Sequence, residues 1–319
     1  FVKPKNGEIQ EFENVGVDFL KLFNYSKPGP GVKKDAPSQK RFFIFWEVLF
    51  RKFFDLCKLN LLFMIPVVVI AAVCFGLAYL GVNVWVVVLL PTILLGPCMM
   101  GITFVTRNYA REEHAFIYSD FMDAIKNNWK QSLPYGIITY VYIMLMVVAF
   151  PFYWQQAQTN AFFYLPLGIC TTVSIVFLFM QYYIPVMIVT FDLKLKAIYK
   201  NALILAIVGL GRNLMLTLFL AITFAVMLLL VFANNAITFL IASILFIFLF
   251  FAFVSFLINF MVYPNVDRYI IRPFYEKQEE SKERTTDIEK SEYVYVDGRL
   301  VKREIAEKDS LFDDDSMFH

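Results

Sequence analysis

The sequence predicts an all-α, polytopic membrane helix bundle: six transmembrane helices, amphipathic cytoplasmic helices between them, and both termini inside. Three observations carry this. First, 59% of the 319 residues are apolar, 18% are charged, and the mean hydropathy is +0.60; soluble domains run near 45–50% apolar and about 25% charged. Second, the stretches 59–106, 131–191 and 213–266 contain no Asp, Glu, Lys, Arg or His. A hydrocarbon core of roughly 30 Å takes about 20 helical residues to cross, so each stretch holds two spans and a turn. Third, all 29 Lys and Arg fall in the four remaining segments, 11 in 1–58, 4 in 107–130, 4 in 192–212 and 10 in 267–319. The three intervening turns carry none, and the positive-inside rule then places both ends in the cytoplasm.

The organisation is a cytoplasmic N-terminal segment 1–40, a six-span membrane domain 41–275 and a cytoplasmic tail 276–319. Residues 1–40 have loop chemistry, with Ser-Lys-Pro-Gly-Pro-Gly at 26–31 as the clearest breaker. They hold no apolar stretch ahead of a small-residue site, so no cleavable signal is expected there. From 41 to 58, Phe42, Phe45, Trp46, Leu49, Phe50, Phe53 and Phe54 recur at helical spacing among Glu47, Arg51, Lys52 and Asp55. That pattern fits an aromatic interfacial helix running into the first span, with its basic residues snorkelling to the headgroups.

The spans follow in pairs. Gly81-Val-Asn83 separates a span near 59–80 from one near 84–106. The polar run 154–160 separates about 133–153 from about 162–190, and Asn234-Asn235 separates about 213–233 from about 236–262. Before the third span, Ser119 or Asp120 can cap a helix whose apolar face is Phe121, Met122, Ile125 and Trp129, with Asp123, Lys126, Asn127, Asn128 and Lys130 opposite. Before the fifth, Asp192 can cap a second amphipathic helix that Gly209-Leu-Gly-Arg212 breaks. Each pair of spans is thus preceded by an amphipathic stretch, a pattern also open to reading as a weak internal repeat. Beyond the last span, 263–275 is an aromatic and basic exit, and 276–292 is polar enough for disorder or a solvated helix. Residues 293–301 alternate about Asp297-Gly298, a hairpin signal, and the end around Asp313 to Asp315 is acidic.

Chemistry is sparse. No P-loop, GxGxxG, HExxH or GxSxG occurs, so no catalytic residue, cofactor site or metal site is expected. His114 lies in the polar Arg-Glu-Glu-His loop, and Cys57, Cys74, Cys98 and Cys170 have no metal-ligand spacing. The spans lack ionisable groups, which proton- and voltage-coupled machines keep; Asn60, Gln181 and Asn259 are the interhelical hydrogen-bonding candidates. Pro66, Pro91, Pro97, Pro134, Pro151, Pro166 and Pro185 invite kinks, and Gly96, Pro97 and Gly101 mark the best candidate bend or close helix contact. Nothing suggests a nucleic-acid partner.

The stretch Phe45-Trp-Glu-Val-Leu-Phe-Arg-Lys-Phe-Phe-Asp-Leu-Cys-Lys-Leu-Asn-Leu-Leu62 resembles the opening of the YesL-like family of bacterial integral membrane proteins. Tyr118-Ser-Asp-Phe-Met-Asp-Ala-Ile-Lys-Asn-Asn-Trp-Lys130 and Tyr263-Pro-Asn-Val-Asp-Arg-Tyr-Ile-Ile-Arg-Pro-Phe-Tyr275 extend the resemblance over most of 40–275. Met64-Ile-Pro66 matches the short Pro-containing first span of that family, whereas the following Val-Val-Val-Ile-Ala-Ala departs from its small-residue run. The family carries a domain of unknown function. Its members are typical of Gram-positive bacteria and are often encoded beside sugar ABC-transporter genes. The resemblance therefore implies a non-enzymatic accessory of carbohydrate uptake in the cell membrane, in contact with the lipid bilayer and with sugar ABC-transporter subunits or with itself. On the residues, Phe121, Met122, Ile125, Trp129, Lys126 and Lys130 are the candidate cytoplasmic partner or membrane-surface face; the same face could equally pack on the bundle. The alternative function is an independent small transporter or channel for a neutral solute or lipid.

Overall fold

The computed structural model describes residues 40–277, Glu279, and the strands Tyr293–Val296 and Arg299–Lys302. The readings of 1–39, of most of 276–292 and of the acidic end lie outside the described residues. The chain divides into two compact units, 1–44 and 45–319. Of the first, the described part is Lys40 and the opening turn of α1 (Arg41–Arg51).

The second unit is a polytopic helix bundle. Its helices are α2 (Phe53–Tyr79), α3 (Val84–Leu89), α4 (Pro91–Leu94), α5 (Gly96–Ala110), α6 (Ile117–Thr159), α7 (Tyr164–Thr190), α8 (Leu195–Val208), α9 (Leu210–Phe232), α10 (Ala236–Leu245) and α11 (Phe251–Val266). A 3₁₀ turn, Ala161–Phe163, precedes α7, and π-helical turns occupy Phe246–Phe250 and Asp267–Ile271. Among the described residues five helices are long and apolar enough to cross a membrane, and a sixth span exists when α3–α4 and α5, bent by 45°, are taken together. The strands β1 (Tyr293–Val296) and β2 (Arg299–Lys302) pair antiparallel with Val296 opposite Arg299.

Two turns form as their residues dictate. Gly81 adopts φ 79°, a left-handed conformation open to glycine without steric cost, and Asn83 caps α3 by accepting from the Trp85 N–H at 2.9 Å. Asn234 takes φ 51°, and Asn235 caps α10 through the Ile237 N–H. Both following helices thus have their N-termini capped by an uncharged asparagine.

Elsewhere the elements differ from expectation. The helix 41–58 breaks at Lys52, so α1 and α2 are separate. The third span and the amphipathic stretch before it form one continuous 43-residue helix, α6, which carries Pro134 and Pro151 inside it. It begins at Ile117, two or three residues before the expected caps, and Asp120 in its first turn accepts from the Phe116 N–H at 2.8 Å. It also runs through the polar residues 154–159, and the chain turns only at Asn160, whose side chain accepts from the Phe162 N–H. Asp192 does not cap α8, whose N-cap is Lys194. The break before the fifth span is at Gly209 alone, and Arg212 stands on α9.

The second span is interrupted because Pro91 and Pro97 each sit in the first turn of a helix, where a missing N–H costs nothing. Its second arm, α5, is the most enclosed helix: Gly96, Met100, Gly101, Ile102, Thr103, Val105, Thr106, Arg107, Asn108 and Tyr109 are buried. The long spans instead leave most of their apolar surface uncovered by protein, which a bilayer, but not water, can solvate. The main core joins α7, α8, α9 and α11 through Tyr183, Met187, Ile198, Leu205, Leu216 and Leu257.

Candidate functional site

Three of the charge-bearing segments and the last turn of α11 meet at one end of the bundle. Arg51, at the end of α1, pairs with Glu112 at 3.1 Å. The Arg111 guanidinium lies 5.1 Å from the Tyr263 ring centre. Gln131 Nε2 donates to the Leu193 carbonyl at 3.1 Å, and Arg212 donates to Asn265 Oδ1. The end of α1, the α5–α6 linker, the α7–α8 linker, the start of α9 and the last turn of α11 are thus knotted together, although 61 positions separate Arg51 from Glu112 and 53 separate Arg212 from Asn265.

Arg107 is the least expected member of this end. It is only 7% exposed, and among the described residues no carboxylate is within ion-pair distance of it. Its guanidinium donates to the Val189 carbonyl at 2.7 Å, to Thr190 Oγ1 at 3.1 Å and to Asn108 Oδ1 at 2.8 Å, and stacks 4.5 Å from the Phe104 ring centre. Val189 is in the last turn of α7, whose free carbonyls carry the negative end of the helix dipole. The cation is held directly by one backbone carbonyl and two neutral side chains.

A polar cleft of about 530 Å³ opens beside this arginine, between α5, the start of α6 and the end of α7. Asp120, Asp123, Asn127, Asn128 and Gln131 from α6 face Thr190, Phe191 and Asp192, with Phe104 from α5. Below it a polar seam continues between α6 and α7. The Tyr135 hydroxyl donates to Gln181 Oε1 at 2.6 Å, and the Tyr142 hydroxyl donates to Ser174 at 2.9 Å.

A second network locks the α8–α9 break. The Tyr183 hydroxyl donates to Asn213 Oδ1 at 2.7 Å and accepts from Asn265 Nδ2 at 2.8 Å, while Asn213 Nδ2 donates to the Ala206 carbonyl at 3.0 Å. Gly209 is required there, because a Cβ would stand 2.5 Å from the Tyr183 hydroxyl. In α5 and α11, Thr106, Ser255 and Asn259 form a buried hydrogen-bonded trio.

The expected partner face divides. Lys126, Trp129 and Lys130 are exposed, with the Lys130 ammonium 5.9 Å from the Trp129 ring centre, and Met122 and Ile125 are half-buried. Phe121 is a correction: it is 2% exposed and covers Gly101, where a Cβ would lie 2.6 Å from its ring. Gly101 and Gly96 therefore serve a close helix crossing; the Gly96 position abuts the Ser132 carbonyl of α6. The bend itself falls at Leu95, with Pro97 in the first turn of α5. His114 lies in the exposed α5–α6 linker, 4.8 Å from the Phe116 ring centre.

This helix crossing is the part of the chain that comparison identifies. Residues 82–150 match a family described as "Protein of unknown function, DUF624". The YesL-like resemblance is consistent with it. The DUF624 match begins in the Gly81–Asn83 turn, takes in the bent pair α3–α5 and ends inside α6, so it covers Arg107, the α6 wall of the cleft and the Gly101–Phe121 contact. No curated protein and no solved structure matches the chain.

Proposed function

We propose that the protein is a non-enzymatic component of the cell membrane that docks a partner membrane protein on its charged end, which faces the cytoplasm together with both termini. The observation that carries this is the gathering of three charged segments and the last turn of α11 into one cross-linked end, from which Lys126, Trp129 and Lys130 project. An exposed tryptophan is the residue type that anchors interfaces. The partner we favour is a carbohydrate ABC-type permease, the class the YesL-like resemblance suggests.

The test is affinity purification from native membranes in mild detergent, with mass spectrometry of what is retained. Stoichiometric recovery of a permease or its ATPase, lost in Trp129→Ala/Lys126→Glu at unchanged protein level, supports the reading. Recovery of the wild-type protein alone and monodisperse overturns it. A second reading, a transporter or channel for a neutral solute or lipid, draws on the polar seam between α6 and α7, and solute flux into vesicles holding this protein alone decides it.

A further inference from the structure

Three buried polar atoms without a hydrogen-bond partner belong to residues of one seam: Gln131 Oε1, Gln181 Nε2 and the Tyr199 hydroxyl. On α6, Gln131, Tyr135, Thr139 and Tyr142 follow at steps of four, four and three and so share a face. On α7, Ser174 and Gln181 are two turns apart on one face, and both bond to that α6 stripe. Gln131 Nε2 reaches the Leu193 carbonyl just ahead of α8, the helix that supplies Tyr199.

Unpartnered amides and hydroxyls are costly in an apolar surrounding. Turning the Gln181 amide over does not relieve it, because whichever atom meets the Tyr135 hydroxyl leaves the other alone. The three atoms also ask for different things: Gln131 Oε1 needs a donor, Gln181 Nε2 needs an acceptor, and Tyr199 can use either. Water supplies both, and buried waters occupy sites with two to four such partners. The α6 and α7 walls between 131 and 190 carry no ionisable side chain other than tyrosine and cysteine, so an ion would find no counter-charge on them.

The seam has an open end and a closed one. Gln131 also lines the polar cleft, which connects the stripe to the charged end. At the other end, the Tyr142 hydroxyl is already paired with Ser174, and its ring stacks on Phe177 with centres 3.7 Å apart. We propose that water enters from the cleft and fills the seam between α6, α7 and α8 as far as Gln181, where Tyr142 and Phe177 close it. The seam is a half-vestibule, hydrated from one side, and it stands whether or not a partner docks on the charged end.

Radiolytic hydroxyl footprinting of the full chain in lipid nanodiscs tests this, because bound water generates the radical beside the residue it touches. Tyr183 is the internal control: it is buried, and its hydroxyl is satisfied by Asn213 and Asn265. Tyr135 and Tyr199 are expected to oxidise several-fold faster than Tyr183, and rates equal to that of Tyr183 overturn the proposal. In Gln181→Leu the Tyr135 rate is expected to fall several-fold with Tyr183 unchanged; an unchanged Tyr135 rate would remove water from Gln181. A misfolded variant exposes Tyr183 and so reports itself, in which case Tyr199→Phe, read at Tyr135, carries the same test.

Discussion

Asn60 on α2 holds open the π-helical turn that precedes Ala252. Its Oδ1 accepts from the Ala252 N–H at 2.9 Å, while its Nδ2 donates to the carbonyls of Phe246 at 3.1 Å and Ile247 at 2.7 Å. A π turn releases backbone groups from the α-helical ladder, and within a span no water stands ready to take them. One buried amide satisfies three at once. Asn60→Leu is expected to lower unfolding free energy by about 2 kcal/mol, above the 0.6 kcal/mol average for one interhelical bond, as measured by denaturing-detergent titration. An unchanged midpoint would mean that the turn relaxes to α-helix without its partner.

Gly101 and Gly168 make a matched pair. A Cβ on Gly101 would lie 2.6 Å from the Phe121 ring and 2.9 Å from its carbonyl, whereas nothing stands within 4 Å of the Gly168 position. Gly101→Ala is expected to cost about 1–3 kcal/mol by overpacking. Gly168→Ala, in the interior of α7, is expected to be neutral or to stabilise by up to about 1 kcal/mol through helix propensity. Thermal unfolding of the two variants side by side checks both signs.

The difference between what the sequence showed and what it hid has a physical pattern. Spans and two of the turns were legible because the charge-free stretches, Gly81, Asn83, Asn234 and Asn235 act through their own side chains and backbone. The polar run 154–159 looked like a turn, yet polar residues at a helix end stay helical unless a breaker intervenes, and the chain turns only at Asn160. The π turn at Phe246–Phe250 is apolar throughout, and its cause, Asn60, lies 186 positions away. For the candidate face the sequence left docking and packing on the bundle both open; Trp129 is exposed, and the burial of Phe121 depends on Gly101 of another helix. Arg107 was hidden for the same reason: two of its partners, the Val189 carbonyl and the Thr190 hydroxyl, belong to another helix 82 and 83 positions away.

Tyr199 gives a pH dependence. It lies on α8, outside the spanning helices, and burial pushes its phenol up to about 12 from the ordinary 10. A raised folded-state value favours the neutral form, so the contribution to stability is complete below pH 10 and lost as pH rises through 12. Tyr199→Phe has no such loss. Between those two values the wild-type stability is expected to fall more steeply than that of Tyr199→Phe, and parallel curves in denaturant titrations would contradict this.

Tyr183 joins three elements through one oxygen. Removing it in Tyr183→Phe leaves Asn213 Oδ1 without its donor and Asn265 Nδ2 without its acceptor, both at buried residues. The cost of orphaning such groups is about 1–3 kcal/mol, and the α8–α9 break at Gly209 loses the contact packed over it. Tyr183→Phe is therefore expected to destabilise, and to speed limited proteolysis at the α8–α9 junction ahead of global unfolding. Cleavage that stays uniform along the chain would show that this oxygen contributes only to overall stability.

Arg107→Lys separates charge from geometry. Lysine keeps the cation but not the planar fork that reaches Val189, Thr190 and Asn108 together. If the fork matters, Arg107→Lys is expected to lose about 2 kcal/mol, much of what Arg107→Met loses, within the 1.5–3 kcal/mol range for bonds to charged groups. If the helix dipole of α7 dominates, Arg107→Lys retains nearly the full stability and only Arg107→Met falls. The enclosed position, the three separate acceptors and the stacking on Phe104 favour the first outcome, since a single ammonium can satisfy the dipole but cannot span Val189 and Asn108 at once.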